Sequence, residues 1–114
     1  MPDKPLAWLG TARRDIRAFP ADARRRCGFQ LRKVQQGLEP DDWKPTSVGP
    51  GVREIRIRTE LAHRVFYVAT FEEAVYVLHG FEKRTRKTST QDLQLARDRY
   101  RALIKKRADD AQKK

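Results

Sequence analysis

The sequence predicts an α+β domain, a small antiparallel sheet with an N-terminal helical hairpin and a C-terminal helix packed against one side of it. Two patterns carry this prediction. Residues 52–81 hold three apolar, β-branched or aromatic segments joined by short connections, and residues 11–37 and 89–104 hold apolar stripes at helical spacing. Length bounds it: 114 residues suffice for one hydrophobic core and not for two. The expected organisation is a single domain over 1–107, followed by a polar, basic tail at 108–114 that is disordered.

Residues 5–9, PLAWL, read as a short first strand, since Pro5 suits a strand start or edge where a missing N–H does little harm. Thr11 is placed to cap a short helix through Phe19, with Ile16 and Phe19 on one face. Pro20 breaks that helix and sits well at the first turn of the next. There Ala23, Cys27, Leu31 and Val34 recur at i, i+4, i+8 and i+11, a core stripe with the arginines mainly off it. Gly37 is a natural stop. Residues 38–51, LEPDDWKPTSVGPG, read as a loop because Pro and Gly recur in it, with Trp43 as a lid over the core and base stacking as the alternative.

Three strands follow. In VREIRIR, residues 52–58, Ile55 and Ile57 share one face while Glu54, Arg56 and Arg58 share the other. HRVFYVATF, 63–71, is apolar on both faces and reads as a central strand. AVYVLHGF, 74–81, is apolar on both faces until His79. Short connections make the three an antiparallel meander. Ser89 caps a last helix with Asp92 in the capping-box position, and Leu93, Ala96, Tyr100, Leu103 and Ile104 form its stripe. From Lys105 onward the chain is polar and basic and is expected to fray.

Charge narrows the functional classes. Lys and Arg number 26 against 15 Asp and Glu, a net charge of +11. Such a surface attracts polyanions. No apolar run approaches the roughly 20 residues of a membrane span, and the N-terminus has no apolar signal region. A lone Cys27 makes neither an intrachain disulfide nor a multi-cysteine metal site. A cytoplasmic protein without cofactor or metal is the expectation. No Gly-rich phosphate loop, HExxH or CxxC occurs.

Register gathers the cations. Arg64 starts the second strand, close to Arg58 across a four-residue turn, and antiparallel order brings the end of the third strand beside Arg64. Thus Arg56, Arg58, Arg64, His79, Lys83 and Arg84 are expected to converge on one end of the sheet, with Glu54 orienting an arginine. A solvated basic edge that discourages strand pairing would look the same in sequence. If the set binds an anion, Arg and Lys suit a phosphate and His79 suits proton transfer near neutrality.

The run VREIRIR…HRVFYVATFEEAVYVLHGFEKRTRKTSTQDLQLARDRY, with the upstream FPADARRRCGFQLRKVQQG…WKP, resembles the phage-derived branch of the RelE/ParE/HigB toxin superfamily. The resemblance spans roughly residues 5–104. It implies a RelE-like fold and the toxin half of a type II toxin–antitoxin pair, a ribosome-dependent mRNA endonuclease that acts without metal. Its implied partners are the ribosome with its mRNA and an antitoxin of helix-turn-helix type, with no membrane. By this resemblance Arg64, Arg84, Lys83 and His79 are the catalytic candidates. Arg56, Arg58, Arg86 and Lys87 would hold RNA phosphate. RelE has a tyrosine shortly after its basic motif where this chain has Thr90, so a tyrosine role does not carry over. A DNA gyrase inhibitor of ParE type and a non-toxic basic nucleic-acid-binding module remain the alternatives.

Overall fold

The computed structural model describes residues 3–113. Strand β1 (Leu6–Trp8) is followed by helices α1 (Ala12–Arg17) and α2 (Ala21–Gln35). Strands β2 (Trp43–Pro45), β3 (Val52–Arg58), β4 (Ala62–Val68) and β5 (Val75–Glu82) come next, and α3 (Thr90–Gln112) closes the chain. The five strands form one sheet in the order β1-β5-β4-β3-β2. The meander β3-β4-β5 is antiparallel as expected, but the turn is tighter: Arg64 lies opposite Arg56, Arg58 opposite Ala62 and His63 opposite Glu82.

The α+β class stands, with four corrections. The sheet is mixed, because β1 pairs parallel to β5; α1 and α2 lie between β1 and the meander and carry the chain around before it re-enters the sheet. Residues 43–45, expected within a loop, form edge strand β2, with Lys44 opposite Glu54. Trp43 does not cap the core as a lid: Arg53 lies over its ring at 3.8 Å. Helices also cover both faces of the sheet. Ile16, Phe19 and the α2 stripe Ala23, Cys27, Leu31 and Val34 pack on Ile55, Ile57, Val65 and Tyr67. Ala96 and Leu103 of α3 pack on Val52, Phe66, Val68 and Leu78 on the opposite face. Strands apolar on both sides must bury both, so one helical layer is not enough.

Local chemistry accounts for most element ends. Ser89 Oγ accepts from the Asp92 N–H, the expected cap. Thr11 caps no backbone amide and instead donates to Asp15 Oδ2 at 2.7 Å. Gly37 stops α2 with a φ of +83°, where a side chain would be strained. Helix α3 continues to Gln112 instead of fraying at Lys105; Ala, Lys, Arg and Gln favour a helix, and Arg107 is tied to Glu73 at 2.7 Å. Burial pushes the Cys27 thiol up to about 12, which leaves it an inert core group.

The HGF stretch shows how closely the layers meet. A bulge after Phe66 leaves Leu78 without a partner in β4, and His79 lies opposite Phe66 on the α3 side. Gly80 turns the other way. A Cβ there would come within 2.3 Å of Ile16 Cγ1, so glycine lets α1 lie against β5.

Candidate nucleic-acid interface

At the end of the sheet where β3 leaves, β4 starts and β5 ends, Lys83 N–H donates to the Ala62 carbonyl at 2.8 Å. This puts Lys83 beside the start of β4. Arg58, Arg64, Lys83 and Arg86 line a cavity of about 350 Å³ there. A second cavity of about 450 Å³, over Glu54 and Phe66, shares Lys83 and Arg86 and adds Lys44 and Lys87.

Arg64 is the fixed member. It is 6% exposed and its strand is the middle one of five. Nη1 donates to the His63 carbonyl at 3.1 Å. Glu54, 2% exposed on β3, brings Oε2 to 3.9 Å from Arg64 Nε and 3.4 Å from Lys44 Nζ. Neither Arg64 Nε nor Glu54 Oε2 has a hydrogen-bond partner among the described residues. Burial lowers the Arg64 pKa, Glu54 opposes that, and Arg56 and Arg58 add to it. Lys83 is lowered too, first by burial, then by the charge of Arg64, with Glu54 opposing and Lys44 and Arg56 contributing. Several cations therefore share a field that Glu54, and more weakly Asp42, relieve only in part, an arrangement that favours a bound anion.

The predicted residues do not all meet. Arg56 is half spent: Nε and Nη2 both reach Asp42 Oδ1 at 2.8 Å. Arg58 stays exposed, with its backbone carbonyl taken by Arg26. Arg86 and Lys87 line the cavities. Arg84 does not; it pairs with Glu82 and its side chain is 83% exposed. His79 does not reach the cavities either. It is 5% exposed, its Nε2 lies 2.7 Å from Asp92 Oδ1, and its ring stacks on Phe81 at 5.0 Å. That contact ties β5 to the first turn of α3. Sequence reasoning missed Lys44. Its signal was hidden in the Pro- and Gly-rich segment read as a loop, and only the β2–β3 register brings it over Glu54.

Among the described residues, no group of three or more His, Cys, Asp or Glu is placed to hold a metal ion, and no helix is long and apolar enough to cross a membrane. The family profile described as "Phage derived protein Gp49-like (DUF891)" matches residues 14–101, which includes every strand of the meander and every cation of the cluster. No curated protein matches the chain.

Proposed function

Because the chain belongs to the phage-derived Gp49-like family, we propose that it is the toxin of a type II toxin–antitoxin pair and cuts mRNA on the ribosome. The observation that carries this reading is the buried Arg64, which lines a cavity whose other cations are Arg58, Lys83 and Arg86. The resemblance to RelE- and HigB-like toxins supports the choice of RNA over other polyanions. On this reading the partner is a helix-turn-helix antitoxin.

RNA cleavage by its own 2′-hydroxyl suits such a site. The 2′-oxygen loses its proton to solvent and bonds to the adjacent phosphorus. The phosphorane gathers negative charge, which Arg64 and Arg58 stabilise where they already stand. The bond to the 5′-oxygen breaks, and that oxygen takes a proton. Lys83 is the proton donor in this scheme, since burial and neighbouring cations make its ammonium more acidic than an ordinary lysine. The products are a 2′,3′-cyclic phosphate and a 5′-hydroxyl. Glu54 positions Arg64, and Arg86 and Lys87 hold the strand on either side. In this scheme no step falls to Arg84, which is paired with Glu82 in solvent, or to His79, which is held by Asp92.

Purified protein added to a reconstituted translation reaction tests this. Message is cut when ribosomes are present and survives when they are absent. Intact message in both, with inhibited DNA supercoiling, would instead support a gyrase inhibitor.

A further inference from the structure

A third cavity, of about 500 Å³, lies on the α2 side of the sheet and is not used by the chemistry above. Its wall is the exposed face of α2, with Arg25, Arg26 and Phe29, and its rim is the β3 edge at Arg56 and Arg58. Phe29 is 62% exposed, the most exposed large apolar side chain among the described residues. Arg25 lies four residues before it, on the same helix face. The β2 ladder covers β3 from Arg53 to Ile55 and the Asp42 carbonyl accepts from the Arg56 N–H at 2.9 Å, so no strand pairs with β3 on that side beyond Arg56, and Arg26 reaches the Arg58 carbonyl there. Arg58 lines this groove and the cation cavity alike.

We propose that the groove is a nucleobase subsite, in which Phe29 stacks a base of a single-stranded RNA whose backbone crosses Arg58. The inference rests on the reading of the cation cavity as a phosphate site. An exposed aromatic ring flanked by guanidinium groups is what an unpaired base needs: a flat apolar face to stack on and cations for the phosphates beside it. The volume is within the range of small-ligand sites, roughly 300–1,000 Å³. Arg25 and Arg26 have no carboxylate partner among the described residues, whereas Asp41 and Asp42 are engaged by Lys33 and Arg56. Continuity through Arg58 favours RNA over a protein segment as the occupant. Stacking fixes which nucleotide sits at Arg64, so Phe29 is a specificity residue and not a catalytic one.

The test is equilibrium binding at low salt of a fluorescent hexaribonucleotide and of the same strand with one abasic site, the site moved along the strand. Phe29→Ala leaves the fold intact, as the ring is largely in solvent. It should weaken the intact strand by roughly 5- to 150-fold. At one abasic position the difference between wild type and Phe29→Ala should disappear. A Phe29→Leu variant should recover little, and Phe29→Trp should bind at least as well, with its fluorescence quenched on binding. Equal affinity of wild type and Phe29→Ala for the intact strand would overturn the subsite, as would loss of binding to a purified partner protein without loss of RNA. If Lys83→Ala and Arg58→Ala still weaken RNA in that case, the phosphate site survives and only the subsite fails. If neither does, both fall.

Discussion

Arg64 and Glu54 stand on neighbouring strands with Nε 3.9 Å from Oε2, both almost sealed from water. Glu54 is the main charge that offsets the burial of Arg64, and Glu54 in turn has both Arg64 and, nearer at 3.4 Å, Lys44 beside it. Removing one member of a buried pair leaves the other charge uncompensated. Glu54→Gln should therefore lower stability by about 3 kcal/mol, read as a fall in the urea midpoint at pH 7. The double change Glu54→Gln with Arg64→Gln should cost less than the two single costs together. Strict additivity would mean that the pair is not coupled.

Two glycines, one in β5 and one in α2, should respond to alanine with opposite signs. Gly80→Ala forces a methyl into Ile16 and should cost about 1–3 kcal/mol. Gly28 sits in the interior of α2, and an added methyl there would meet nothing within 4 Å, so Gly28→Ala should gain roughly 0.5–1 kcal/mol. Thermal melts measure both. A neutral Gly80→Ala would contradict the close seating of α1 on β5.

Acid should loosen the far end of α3. The hydrogen bond from Arg107 holds the Glu73 carboxyl at about 2, below its ordinary 4.5. A depressed folded pKa contributes stability in full above about pH 4.5, lost as pH falls toward 2. The pair is exposed, so the effect is small and fades with salt. At low salt, wild type should lose more stability between pH 5.5 and 2.5 than Glu73→Gln does. Equal losses would show that the bond does not persist in solution.

Lys83 should count as one phosphate contact. For single-stranded RNA the slope of log affinity against log salt falls by about 0.7 per contact removed. Lys83→Ala should reduce the slope by that amount, and Arg84→Ala should leave it nearly unchanged, because Arg84 is already paired with Glu82. Equal effects would place Arg84 back among the phosphate ligands.

Much of this was legible in sequence because it is local. The α2 stripe of Ala23, Cys27, Leu31 and Val34 is buried to the last residue, and the antiparallel meander that gathers Arg56, Arg58 and Arg64 follows from short connections. What failed depends on distant partners. The parallel pairing of Leu6–Trp8 with β5 leaves no mark in five residues of sequence. Sequence position alone predicts that His79 joins the cations, but Asp92, thirteen residues on, lies 2.7 Å from its Nε2. Arg84 follows Lys83 by one position, yet it leaves the cavity to pair with Glu82, and no periodicity in a loop announces that turn. Lys44 joined the cluster only through a strand that proline and glycine had disguised.

Mapping of 5′-hydroxyl RNA ends after brief induction in growing cells tests the central claim most directly. Wild-type protein should create new ends inside coding regions, in step with the reading frame, as growth stops. A folded Arg58→Ala, Lys83→Ala double variant should create almost none and leave growth unaffected. Growth arrest by the wild-type protein with messages intact would contradict the account.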